Sequence, residues 1–292
     1  MKQQFDITRD AVIVRLSISR YGAKVRSGLL EKEAAQKHDA DEEAIVSAIK
    51  TLRREDRAEI DAVACAAKHV WRSMTLPWED DGKRLCPTTN YQKLLKALGE
   101  HQDKFHDLVK TKIVNKWDEL VADAKKRLNG LAAEIEFPSK DQIAERYAMR
   151  VTTDVISGGS DVRLNHVDRH AIDAIVRETQ ERISATVADA QTEVVTNLIE
   201  MLDNFCGQIV EGKVTVNKTS IEKMRKTMEI MPSLNITGDE KLAAIMDRVA
   251  KMVGKIESDS IRENKPVRSF VRKETNAVLD DLKAFGSKGG AK

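Results

Sequence analysis

Aromatic side chains make up only 4% of this 292-residue chain, against 41% apolar and 33% charged residues. A core with so few rings must be filled by Ala, Val, Ile, Leu and Met, a mixture that suits amphipathic helices better than a sheet core. Cysteine is equally scarce. Cys65, Cys86 and Cys206 are odd in number and far apart, which excludes a disulfide framework and a zinc site with two-residue ligand spacing. A reducing compartment is the expected setting. Net charge is nearly absent, at +2 from 49 basic and 47 acidic residues, so attraction to nucleic acid or anionic lipid needs a local patch. No run approaches the roughly eighteen apolar residues of a membrane span. The opening Met1-Lys2-Gln3-Gln4-Phe5-Asp6 lacks the apolar segment of a signal peptide. The expectation is a cytoplasmic protein with no membrane partner.

Proline is rare as well, and two of the five fall in one stretch, Thr75–Tyr91, together with Trp78. Pro77 and Pro87 push Leu76 and Cys86 out of the helical region, and Asp81-Gly82 supplies a turn. Leu76, Trp78, Leu85 and Tyr91 are too apolar for a solvated linker, so this stretch is expected to be a structured corner packed on neighbouring helices.

What is plentiful is helical periodicity. Val12, Val14, Leu16 and Ile18 first alternate with polar residues as a half-buried strand does. An acidic start at Asp39–Glu43 then leads into Ile45, Ile49, Leu52, Ile60, Val63, Val70, Trp71 and Met74, which predicts one long helix ending at the corner. Asn90 is expected to cap a short helix ending at Gly99. A longer one over about 101–135 carries Phe105, Leu108, Ile113, Trp117 and Leu128. After Pro138, Ser139 and Gln142 stand at capping-box spacing.

β-Branched residues flank Gly158-Gly159 between Val151 and Leu164, which predicts a hairpin, either a connector, a small sheet shared with Val12–Ile18, or a tongue for a partner. Asn165 then precedes the longest expected helix, about 166–206, with Ile172, Ile175, Thr179, Ile183, Val187, Ala190, Val194, Leu198, Met201 and Phe205 at steps of three and four. At 1.5 Å per residue it spans roughly 60 Å, more than a compact domain usually needs. Val210–Val216 reads as a small strand or hairpin, followed by helices at about 219–231, ended by Pro232, then 239–258 and 267–285. Met224, Met228 and Met231 give the first of these an adaptable apolar stripe. The contiguous regions are thus 1–137, 138–206 and 207–285, with 286–292 as a disordered tail.

Reactive constellations are few. His166 and His170 stand one helical turn apart, a spacing that permits a shared divalent metal, but no Glu follows the first as in a metalloprotease helix. Gly158-Gly159-Ser160 is not followed by the Lys of a phosphate loop, and no Ser or Cys sits in a nucleophile motif. Nothing calls for a cofactor. Basic clusters are better represented, above all Arg262, Lys265, Arg268, Arg272 and Lys273 around Pro266, a pattern able to grip a phosphate backbone. Phe270 within it reads as a core residue rather than a platform for base stacking.

Arg15-Leu16-Ser17-Ile18-Ser19, Thr75-Leu76-Pro77-Trp78 with Asp81-Gly82, Leu85, Pro87 and Tyr91, the Phe105–Leu128 helix and Phe137-Pro138-Ser139 occur in an order that resembles a family of uncharacterised phage and prophage proteins. The resemblance covers about the first half of the chain. Members are often encoded beside a MoxR-type AAA+ ATPase and a von Willebrand factor A-type protein, and the resemblance implies a phage-encoded protein working in the host cytoplasm with such a machine. It carries no catalytic residues.

Taken together, the expectation is a mainly α protein, an elongated bundle of long amphipathic helices with small β elements. It is non-enzymatic and homo-oligomeric, an assembly or adaptor component associating through Ile172, Ile175, Ile183, Val187, Val194 and Leu198. The alternative is a nucleic-acid-binding protein using the C-terminal basic cluster.

Overall fold

The computed structural model describes residues 6–78, 82–156, 169–210 and 213–289. In chain order the elements begin with α1 (Ile7–Asp10), β1 (Ala11–Ser19), β2 (Lys24–Arg26), α2 (Gly28–His38), β3 (Ala48–Lys50) and α3 (Arg54–Ser73). Next come β4 (Leu76–Pro77), β5 (Lys83–Pro87), α4 (Thr88–Leu108), α5 (Trp117–Leu128), α6 (Lys140–Glu145) and β6 (Ala148–Val155). The remainder is α7 (Arg169–Gln208), β7 (Ile209–Val210), β8 (Lys213–Val214), α8 (Lys218–Leu234), α9 (Glu240–Lys255), α10 (Ser258–Glu263) and α11 (Lys265–Gly289). The protein is mostly helical with small β elements, as the aromatic-poor composition predicts.

The Thr75–Tyr91 corner is a hairpin. β4 and β5 pair antiparallel with Leu76 opposite Leu85, and Gly82 supplies the turn at φ 81°, a left-handed conformation that disfavours a side chain. β5 in turn pairs antiparallel with β1, from Ala11 opposite Pro87 to Arg15 opposite Lys83. The strand order is β4-β5-β1-β6, so the predicted sheet shared between the Val12–Ile18 and Val151 regions exists. The Gly158-Gly159 turn and the return strand to Leu164 lie outside the described residues.

Several expected helices differ. Residues 45–50 do not belong to a helix: Ala48–Lys50 pairs antiparallel with β2, and α3 starts only at Arg54. Ile45, Ile49 and Leu52 satisfy a three-four spacing, yet this segment rich in β-branched residues gains more by pairing with Val25. α4 runs through Gly99 without ending there, and the chain continues through a π turn at Val109–Val114 that buries Val109 and Ile113. Pro232 sits inside the last turn of α8, two residues before its end, where the missing N–H costs one helical bond only. α10 has no counterpart among the expected helices, and α11 extends through residues 286–289 of the expected tail.

The chain forms two compact units, each assembled from separated segments. Unit 2 comprises Leu16–Val70 and Lys96–Val151. Its buried side chains include Ile60, Ala64, Ala67, Leu98, Phe105, Ile113, Trp117, Ile143 and Met149. The capping box forms as spaced. Ser139 Oγ accepts from Gln142 N at 3.2 Å, Gln142 Oε1 accepts from Ser139 N at 2.9 Å, and Trp117 Nε1 donates to Pro138 O at 2.7 Å just before it. Asp123 accepts from both Arg53 and Arg127, and these two guanidiniums hold its carboxyl well below the usual carboxylate range.

Unit 1 comprises Met1–Arg15, Trp71–Leu95 and Thr152–Lys292. One continuous cluster joins Ile13, Leu76, Trp78 and Leu85 to α7 from Ala190 onward and to α8, α9 and α11. Ile221, Met224, Met228 and Met231 are all buried in it, so the methionine stripe is core packing. Arg84 ties the hairpin down. It donates to Thr75 Oγ1, Thr75 O and Glu193 Oε1, each at 2.8 Å, and its guanidinium lies 5.7 Å from the Trp71 ring centroid. Trp71 Nε1 donates to Val14 O at 3.2 Å.

Candidate functional site

The longest helix, α7, is 40 residues of Ala, Val, Ile, Leu and long polar side chains, with no glycine before Gly207 and no proline. Its apolar stripe repeats every eleven residues: Ile172, Ile183, Val194 and Phe205 form one row, and Val176, Val187 and Leu198 the next. Eleven residues make three turns of about 3.67 residues each, so the stripe runs almost straight along the helix.

The two halves of that stripe have different environments. From Ala190 onward it is core: Ala190, Val194, Leu198 and Leu202 are fully buried and Phe205 nearly so. The chain's own α11 packs on this half antiparallel. Cys206 lies beside Asn276, and a Cβ placed on Gly286 would sit 3.7 Å from Val195 Cγ1. Val194 and Leu198, grouped by spacing with the self-association residues, are therefore taken up internally; the period cannot distinguish a seam closed within the chain from one open outside it.

From Arg169 to Asp189 no residue of α7 is buried. Ile172, Val176 and Thr179 are half-buried and Ile175 is 39% exposed, while Ile183 and Val187 touch the core at its margin and stay half-buried. Ser184 and Thr186 return their hydroxyls to the carbonyls of Gln180 and Arg182, which satisfies them without a partner helix.

The C-terminal basic cluster is divided by the fold. Arg262 donates through Nε to Val216 O at 2.7 Å, and Arg268 donates to Ile261 O at 2.9 Å and Arg262 O at 2.6 Å, closing the carbonyl end of α10. These two guanidiniums are clamps on backbone. Lys265 stands exposed at the start of α11, and Arg272 and Lys273 line a shallow depression with Ser269, Asn276 and Asp280. Arg225 serves as a third clamp, donating to Val253 O and Ile256 O. No spacing in the sequence marks these clamps; the one signal is arginine rather than lysine at each position.

Phe270, expected in the core, is 65% exposed. The buried stripe of α11 is Val271, Thr275, Val278, Leu279 and Leu282, and Phe270 falls one position off it. It borders an apolar groove of about 290 Å³ whose wall includes Met252, Ile256, Ile261 and Val271.

Candidate catalytic chemistry gains no geometry. His170 is exposed at the start of α7 and His166 lies outside the described residues. Among the described residues no group of three or more His, Cys, Asp or Glu is placed to hold a metal ion. Burial pushes the Cys86 thiol up to about 12 and raises Cys206 as well, the opposite of an activated nucleophile. Tyr147, buried in unit 2, is likewise raised to about 12, and its hydroxyl has no hydrogen-bond partner.

No protein-family model matches this chain, and no match is found among the curated proteins or the solved structures. No helix among the described residues is long and apolar enough to cross a membrane.

Proposed function

We propose that this chain is a non-enzymatic assembly or adaptor protein whose copies associate through the Arg169–Asp189 half of α7. The observation that supports the reading is the change along one stripe: the same eleven-residue repeat that closes the core from Ala190 onward continues for five more turns with no buried residue. An apolar row of that length in water gains by meeting another. Work alongside an AAA+ ATPase or a von Willebrand factor A-type protein, within a phage-infected cell, follows from the resemblance of the first half of the sequence alone.

Light scattering at micromolar concentration tests the reading. The native chain is expected above monomer mass, and Ile172→Glu combined with Ile175→Glu is expected to return it to a monomer with unchanged helicity, since neither side chain belongs to the core. A native chain that stays monomeric across that range removes the proposal.

A second reading, nucleic-acid binding, draws on a specific feature: exposed Phe270 stands one turn from Lys273 on α11, an aromatic face beside a cation. Retention of single-stranded DNA at low salt, lost in Phe270→Ala and falling steeply with added salt, supports it; no retention at low salt removes it.

A further inference from the structure

The groove beside Phe270 lies within unit 1, between the second half of α9, α10 and the first half of α11. Met252, Ile256, Ile261, Val267, Val271 and Val278 give it an apolar floor. A junction of helix ends ordinarily presents the last carbonyls of each helix. Here Arg225 takes up the carbonyls of Val253 and Ile256, at 3.3 and 2.7 Å, and Arg268 takes up that of Ile261 at 2.9 Å. A ligand therefore meets hydrocarbon, on a backbone that these two guanidiniums hold in place.

The dimensions of the groove narrow the choice of occupant. Its α11 wall runs from Val267 to Val278, about 16 Å at a rise of 1.5 Å per residue, so a volume of about 290 Å³ leaves a cross-section of only about 18 Å². That is a slot for one extended chain. A helix, about 10–12 Å across with its side chains, does not enter it.

Charge specifies the rest. The lining side chains include three cations, Arg248, Lys251 and Lys255, and two carboxylates, Glu257 and Glu274. Glu274 and Asp281 hold Arg248 at 3.3 and 2.9 Å, Asp247 holds Lys251, and Arg225 holds Glu257 at 3.1 Å. Among the described residues, Lys255 is the one lining charge without an ion-pair partner, and it is exposed. Arg225, sitting on the carbonyl end of α9, also offsets the repulsion an anion would meet there. Ser260 adds a hydroxyl donor to the same lining.

We infer that the groove binds a single-headed anionic amphiphile of the fatty-acid class. Its carboxylate meets Lys255, its unbranched chain lies over Ile256, Ile261 and Val271, and Phe270 covers the solvent side of the chain. None of these residues belongs to the α7 surface, so binding is expected in monomer and oligomer alike.

Calorimetric titration of the full chain with decanoate, kept below micelle-forming concentrations, tests the site, with decanol as the uncharged counterpart. Saturable binding of decanoate is expected. Lys255→Gln is expected to weaken decanoate about fivefold, as for an exposed ion pair, and to leave decanol within about twofold. Phe270→Ala is expected to weaken both ligands about fivefold, since it removes apolar cover rather than charge. Both side chains are exposed, so neither substitution disturbs the core, and Lys241→Gln at the far end of α9 is expected to change neither ligand. Absence of saturable decanoate binding overturns the inference, whatever else the groove takes. Decanoate bound undiminished by Lys255→Gln overturns the anionic head, and decanoate bound undiminished by Phe270→Ala overturns the choice of groove.

Discussion

Replacing Arg84 tests whether the Thr75–Tyr91 hairpin is fastened to unit 1 by one side chain. The Arg84 side chain is only 12% exposed, and Glu193, its ionic partner, is 33% exposed. Arg84→Ala removes two hydrogen bonds from a charged donor to Thr75, one charge-assisted bond to Glu193 and the contact with the Trp71 ring. Hydrogen bonds involving a charged group contribute about 1.5–3 kcal/mol each, less where water replaces the donor, and a cation over a ring adds about 0.5–1 kcal/mol. The half-solvated pair with Glu193 contributes no more than about 1 kcal/mol of Coulomb energy. The total expected loss is about 4 kcal/mol, most of it from the bonds to Thr75. Glu193→Gln keeps an acceptor and is expected to cost about 1 kcal/mol, and the double variant isolates their coupling. Urea unfolding followed by tryptophan fluorescence is the assay. Trp71 and Trp78 belong to unit 1 and Trp117 to unit 2, so a Trp117→Phe background reports on unit 1 alone. A loss under 1 kcal/mol for Arg84→Ala, or one no larger than that of Glu193→Gln, refutes the reasoning.

Two predictions concern unit 2. Asp123 has a folded pKa depressed by Arg53 and Arg127, so its contribution to stability is full above the ordinary value of 3.8 and is lost as pH falls toward the depressed one. Asp123→Asn is therefore expected to lower the melting temperature at pH 7 and to matter less in acid, and an unchanged penalty at pH 2.5 refutes the assignment. Ser139→Ala removes the cap of α6 and is expected to cost about 1 kcal/mol, read from Trp117 fluorescence; Ser139→Asp is expected to retain most of it.

Local signals in the sequence survived folding where one short-range rule decided the outcome. Ser139 and Gln142 needed only each other to form their box, Val12 to Ile18 needed only alternation, and Met224, Met228 and Met231 occupied one buried face. The failures share a cause: the deciding interaction lay far along the chain. Ile45 and Ile49 obey a helical period, but β2 was available to pair with β3. Gly286 looks like the start of a tail until Val195 is placed beside it. The basic cluster around Pro266 reads as a patch only while the carbonyls of Val216 and Ile261 are out of view. On α7, spacing placed Ala190, Val194, Leu198 and Phe205 on the buried face but took Met201 in place of the buried Leu202, and the division at Ala190 depended on where α11 packs. Contiguous segmentation likewise has no means of finding units assembled from interleaved stretches.

That interleaving sets an order of events during synthesis. Unit 2 has all of its segments once Val151 has emerged from the ribosome, whereas in unit 1 the segment ending at Arg15 and the hairpin wait until the last helices arrive. The first part of the earliest strand made, Ala11–Arg15, is thus among the last stretches to find its core, and a chain halted after residue 151 holds every segment of unit 2 but none of α7 to α11.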